Sequence, residues 1–220
     1  MSIITKDTFH FLKEIKLNNN KPWFEKNRPR YEKARAEYLG FVTKLTEGIR
    51  KIESIPEKEP VKYIQRIYRD VRFSRDKTPY KSHFSSIIER GPENRKCPLY
   101  IQIQPGGSMM GGGIWDPSAE TLKMVRQEID YNSPKLKRII NAKSFLNYFG
   151  KISGAKLTRP PKGYEADNPA IELLKFKQLY VERSFDDELV LSPYLVPEIL
   201  KSYKSALPFF IFFDTAMGDS

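Results

Sequence analysis

Sixteen residues from Arg66 to Lys81, RIYRDVRFSRDKTPYK, hold four arginines, two lysines, two aspartates and two tyrosines. A guanidinium is a planar fork that meets the oxygens of a phosphate or carboxylate two at a time, so Arg66, Arg69 and Arg72 offer bidentate anion contacts. Lys77 and Lys81 add point charges, Tyr80 or Tyr68 a hydroxyl, and Asp70 and Asp76 would orient the cations. The chemistry this predicts is recognition of an anionic small molecule, in particular one that carries phosphate.

The same mixture of signs supports a second reading, in which carboxylates and guanidiniums satisfy one another in a partly buried network that locks the loop. Deleting one member of such a network costs about 3 to 5 kcal/mol, because its partner is left buried and unpaired. A third reading is catalysis, with Asp70, Asp76, Lys77 and Tyr80 as candidate catalytic groups. Lys77 with Tyr80, or Asp76 with His83, would move a proton while the arginines stabilise charge on a phosphoryl or carboxyl oxygen.

Other chemistries find less support. Two carboxylates among so many cations make a poor magnesium site, and one cysteine (Cys97) with two histidines (His10, His83) cannot form a Cys/His zinc site. No metal is expected, and nothing in the sequence asks for a cofactor. Cys97 has no evident basic partner to activate it and reads as a small buried apolar residue. With no disulfide framework, no secretory leader pattern and no stretch near the roughly 20 apolar residues of a membrane span, the expectation is a soluble, cytoplasmic chain without membrane contact.

Charge sharpens the choice of partner. Residues 1–100 hold 23 Lys and Arg against 13 Asp and Glu, whereas residues 101–220 hold 15 against 14, so nearly all of the formal +11 belongs to the first half. A local excess of this kind attracts anions. Nucleic acid is therefore the alternative partner: Tyr63, Tyr68 and Phe73 interleave with Arg66, Arg69 and Arg72, a pattern that suits base stacking beside phosphate contacts. No helix-turn-helix, zinc-finger or RRM signature accompanies it. A protein-interaction module, using Tyr194 to Val196 and Phe209 to Phe213, is the third class.

These residues need elements to position them. Thr5 caps a helix to about Leu17 with Phe9, Leu12 and Ile15 on one side, and Asn18 to Asn20 stop it. Pro22 opens a second helix, and Tyr38, Phe41, Val42, Leu45 and Ile49 repeat at helical spacing within a third, from Tyr31 to about Ile52. From Val61 the side chains alternate, which predicts a strand at least to Tyr68; a helical turn from Arg69 is the rival. Two more strands are expected at His83 to Ile88 and Leu99 to Gln104. PGGSMMGGG, with five glycines in the eight residues from Gly106 to Gly113, then reads as a glycine-rich turn or bulged hairpin.

Beyond it the pattern predicts a helix from Trp115–Ser118 to about Ile129, short helices at Pro134 to Ile140 and Lys143 to Tyr148, and a brief one after Pro169. A strand follows within Phe176 to Phe185, and a closing helix from Pro193 is broken at Pro208. The sum is an α+β fold: one domain over residues 1–220, with a mainly antiparallel sheet between N-terminal and C-terminal helices.

Arg66-x-x-Arg69-Asp70-x-Arg72-Phe73, followed by Asp76-Lys77-x-Pro79-Tyr80, resembles the signature of a mainly bacterial family of uncharacterised proteins, domain of unknown function 2461. Asn18-Asn19, Trp23-Phe24, Asn27-Arg28 and Tyr31 resemble its N-terminal block, and Pro105-Gly106-Gly107 with Gly113-x-Trp115 its central hairpin. The resemblance covers most of the chain and implies a single-domain architecture. It carries no activity with it.

Overall fold

The structure, a computed structural model, describes residues 3–91 and 97–218. Within them the chain forms α1 (Lys6–Leu17), α2 (Lys21–Lys26), α3 (Arg28–Arg50), β1 (Phe84–Ile88), β2 (Leu99–Ile103), β3 (Ser108–Ile114), α4 (Ala119–Ile140), α5 (Lys143–Phe149), α6 (Ile171–Leu174), β4 (Leu179–Phe185), α7 (Asp187–Val190) and α8 (Leu195–Gly218). The α+β expectation holds, with helices at both ends of the chain around one antiparallel sheet.

The helix starts follow from their capping residues. Thr5 accepts the Thr8 N–H at α1, Asn20 accepts the Trp23 N–H at α2, and Ser118 accepts the Thr121 N–H at α4. Each side chain thereby satisfies a backbone donor that has no partner inside the helix. The break between α2 and α3 falls at Asn27, just ahead of Pro29, as the sequence requires.

The four strands lie in the order β1-β2-β3-β4, every neighbouring pair antiparallel. One face is apolar and buried: Phe84 and Ile88 of β1, Leu99, Ile101 and Ile103 of β2, Met110 and Ile114 of β3, Leu179 and Val181 of β4. Against it pack α3, which touches β1, and α8, which touches β3. Four phenylalanines of α8 (Phe209, Phe210, Phe212, Phe213) are fully buried. At about 1.5–3 kcal/mol for each large apolar side chain, they make α8 the main hydrophobic anchor of the sheet.

Three expectations need correction. Val61 to Tyr68 is no regular strand: Pro60–Tyr63 is a 3₁₀ turn, and only isolated bridges at Ile64 and Tyr68 follow. The two helices expected on either side of Asn132, by contrast, are present as the two arms of α4, separated by a kink at Asn132 (φ −119°, ψ 27°) two residues ahead of Pro134, whose missing N–H interrupts the hydrogen-bond ladder. Pro208 does not break α8, because residues on both sides of it are buried and tertiary packing outweighs the local cost. Phe209 to Phe213 are core rather than an exposed patch, Ile211 alone reaching 40% exposure; Tyr194 is exposed but Leu195 is buried.

The hairpin divides its glycines between two jobs. The turn itself spans residues 105–107, where Gly106 has φ +69°, while Gly111 to Gly113 lie inside β3. A Cβ on Gly112 would stand 2.7 Å from the Phe210 ring, and one on Gly113 (φ +125°) 2.5 Å from the Leu179 carbonyl oxygen. Glycine is needed there so that α8 and β4 can approach.

Candidate functional site

The basic stretch forms a two-stranded ribbon that continues from the outer edge of β1. Residues 64–69 run antiparallel to residues 79–86, through bridges at Ile64–Ser86 and Tyr68–Tyr80. Gln65 N–H donates to the Ser85 carbonyl at 2.8 Å, Lys81 N–H to Ile67 at 2.8 Å, and Arg69 N–H to Pro79 at 2.9 Å. Between the first two of these bonds Arg66 stands alone opposite residues 82–84, so the ribbon bulges there. The bulge puts the charges of Arg66 and Lys81, and of Lys81 and His83, within interaction range of each other.

The ribbon is fastened to the helices by Asn19 and Phe24. The Asn19 side-chain amide donates to the Tyr80 carbonyl at 2.8 Å and accepts the Tyr80 N–H at 3.0 Å, replacing a missing strand partner. Phe24 stacks on the Tyr80 ring at 4.1 Å between centroids, and Tyr68 closes on Tyr80 at 5.4 Å. Tyr80 is therefore a buried anchor, with burial pushing its hydroxyl above the usual range. The Arg28 guanidinium lies 5.7 Å over Phe24 from the solvent side.

The ionic residues sort into two groups. Arg69 binds the Asp76 carboxylate and the Thr78 hydroxyl, and its contact with the Thr78 carbonyl is 3.2 Å. Asp76 also accepts the Thr78 N–H at 2.9 Å, and that backbone bond, followed by Arg69, holds its carboxyl down at about 2. Arg72 forks onto Asp70 at 2.7 and 3.0 Å and lowers it likewise. Lys77 donates to the Val71 carbonyl at 2.9 Å. These residues tie the loop tip to itself, so part of the ion-pair reading is realised, but near solvent: the Arg72 side chain is 77% exposed and that of Asp76 59%.

Arg66, Lys81 and His83 form the other group. Among the described residues no carboxylate lies in salt-bridge range of Arg66 or Lys81; Arg66 touches Asp70 only through a weaker, longer-range attraction. Arg66 is exposed and Lys81 and His83 are half-buried. Burial, then the charge of Arg66, lowers the Lys81 ammonium below its usual value; burial, then Lys81, brings His83 down to about 4. Two neighbouring cations and a neutral imidazole thus stand together, and among the described residues no carboxylate forms a salt bridge with either cation.

The expected acid/base pairs are not assembled. Lys77 sits on a backbone carbonyl rather than on Tyr80, and the groups acting on His83 are its buried surroundings and Lys81, not Asp76. No cluster of three or more His, Cys, Asp or Glu suited to a metal occurs among the described residues. Beside the charges, Phe73 is 96% exposed with the Arg72 guanidinium 5.9 Å over its ring, and Tyr68 is 48% exposed.

A buried ion network lies elsewhere, among residues that no local sequence pattern singles out. Arg90 is fully buried and binds Glu53 at 2.8 and 3.2 Å, Asp214 at 3.0 Å, the Tyr203 hydroxyl at 2.9 Å and the Cys97 carbonyl at 3.1 Å. Its guanidinium also lies 4.8 Å over the Phe210 ring. Cys97 is buried beside it, with burial and the Asp214 carboxylate driving the thiol far upward. The network knots α8 to β1 and to the end of α3.

A family model described as "Conserved hypothetical protein (DUF2461)" matches residues 7–212. Neither the curated proteins nor the solved structures gave a match. The chain belongs to this conserved hypothetical protein family, and the match spans every element from α1 into the last third of α8.

Proposed function

We propose that this member of the family binds an anionic, phosphate-bearing ligand at the bulge of the ribbon, where Arg66, Lys81 and His83 supply the contacts. The observation that carries the reading is that, among the described residues, no carboxylate lies in salt-bridge range of Arg66 or of half-buried Lys81, which stand beside each other and beside His83, whereas buried or half-buried Arg90, Lys175 and Arg183 are each paired. Placing like charges together raises their energy, and a bound dianion lowers it. Arg66 would fork onto two phosphate oxygens, Lys81 would act as a point charge and His83 as a hydrogen-bond donor once protonated. Arg69, Arg72, Lys77 and Tyr80 have other work: they set the shape of the loop and its anchor.

The exposed rings favour a second reading of the same surface. Phe73 is set beside Arg72 and Tyr68 beside Arg28, which suits a single-stranded nucleic acid, its bases on the rings and its phosphates on the cations. Both readings are tested by thermal unfolding at low salt against nucleotides, sugar phosphates, polyphosphate and short RNA and DNA. A ligand at 100 times its dissociation constant adds about 2.7 kcal/mol, a rise of roughly 5 to 11 °C for a chain of this size. A rise that Arg66→Ala abolishes supports the site; a nucleic-acid rise that collapses with added salt supports the polymer. A flat panel would remove both.

A further inference from the structure

The second face of the sheet holds a slot that the ribbon does not use. Ile87, Tyr100, Gly111 and Glu182 stand in one register row across all four strands, each paired with the next. Side chains of a strand alternate between faces, so these four share the face opposite α3 and α8. Gly111 presents no side chain, which opens a gap between Tyr100 on β2 and Glu182 on β4, about 10 Å apart across two strand spacings. Along the strands the gap is closed by Met109 on one side and by Trp115 with Tyr180 on the other. The result is a cavity of about 480 Å³.

Its walls are aromatic and its one charge is negative. Trp115 is 67% exposed and meets Tyr180 edge to face at 4.6 Å. Of the residues lining the cavity only Glu182 is charged. Its Oε1 accepts a hydrogen bond from the Ser153 hydroxyl at 3.2 Å; among the described residues nothing donates to the second oxygen and no cation pairs with it. A carboxylate without a counter-ion, on a chain with formal charge +11 and in a slot lined by electron-rich rings, selects for positive charge.

We propose that this slot binds a small organic cation, an ammonium group carried on an aromatic or apolar body. The body lies over Gly111 among Tyr100, Met109 and Trp115, and the ammonium meets Glu182 and the face of Tyr180. The site is separate from the ribbon and takes the opposite charge, so the two stand or fall independently.

The test uses three probes of one shape, 2-phenylethylamine, 2-phenylethanol and phenylacetate, titrated into the full chain by calorimetry. The amine is expected to bind saturably and at least about tenfold more tightly than either analogue. Glu182→Gln keeps the side-chain shape on an exposed position and is expected to cut amine affinity about tenfold. Trp115→Ala should weaken all three probes, and Arg66→Ala none of them. Melting temperatures of the variants close to wild type confirm that folding is unaffected. Equal affinity for the three probes, unchanged amine affinity in Glu182→Gln, or no saturation by about 10 mM would each overturn the proposal.

Discussion

Replacing Arg90 by alanine removes a buried cation from the centre of the molecule, and the structure sets the size of the effect. Arg90 is 0% exposed and Asp214 7%. Without the guanidinium, Asp214 keeps only the Cys97 N–H at 3.3 Å and the Cys97 thiol among the described residues, and Glu53 loses two contacts. Breaking a buried pair by deleting one partner costs about 3 to 5 kcal/mol, which for a chain of this length lowers the melting temperature by roughly 6 to 20 °C. Calorimetric melts of wild type and Arg90→Ala, with Arg72→Ala as an exposed-pair control that stays near wild type, are the assay. A fall of less than about 2 °C for Arg90→Ala, or one matched by Arg72→Ala, would refute the assignment of the buried network as the structural lock.

Three further outcomes follow. His83 is held at about 4 against an ordinary 6.5, so the unfolded chain binds the extra proton first: stability is full above pH 6.5 and is lost as the pH falls toward 4. The complete loss would be about 3 kcal/mol, reduced to roughly 2 by partial exposure; denaturant melts of wild type and His83→Gln should diverge over that window. Asn19→Ala removes both side-chain bonds to the Tyr80 backbone and should cost about 1 to 3 kcal/mol, with faster hydrogen exchange at Tyr80 and Lys81 as the local readout. The Cys97 thiol should resist a thiol-specific reagent in the folded protein and react at once in denaturant, since it is buried and held protonated.

What the sequence revealed depended on how locally each feature is determined. The α1 and α3 stripes are set by residues three and four apart, and the strands β1 and β2 by short apolar runs, so both were readable. The stretch from Val61 alternates like a strand, yet it pairs with its neighbour only at isolated bridges, because three residues stand opposite Arg66 in the bulge. Gly111 to Gly113 looked like turn residues; what requires glycine there is the Phe210 ring, about a hundred positions away, and the β4 backbone. Arg90 gave no signal at all, since its partners Glu53 and Asp214 lie 37 and 124 residues distant.

The candidate site was half legible for the same reason. The density of charge in Arg66 to Lys81 located it, and that is a property of sixteen consecutive residues. Which cations are already paired is a property of geometry: Arg69 and Arg72 form salt bridges, and Arg66 forms none among the described residues. His83, which the sequence offers as a proton-transfer partner for Asp76 or as a structural residue, stands with Lys81 in the bulge.

The most direct test of the account is a calorimetric titration of tripolyphosphate into the wild type, Arg66→Ala and Arg72→Ala at low salt, at pH 7 and at pH 5. Protonation of His83 is favoured by a bound anion, so the account predicts saturable binding that tightens toward pH 5, is lost in Arg66→Ala and survives in Arg72→Ala. Absence of saturable heat in the wild type, or affinity indifferent to Arg66, would contradict it.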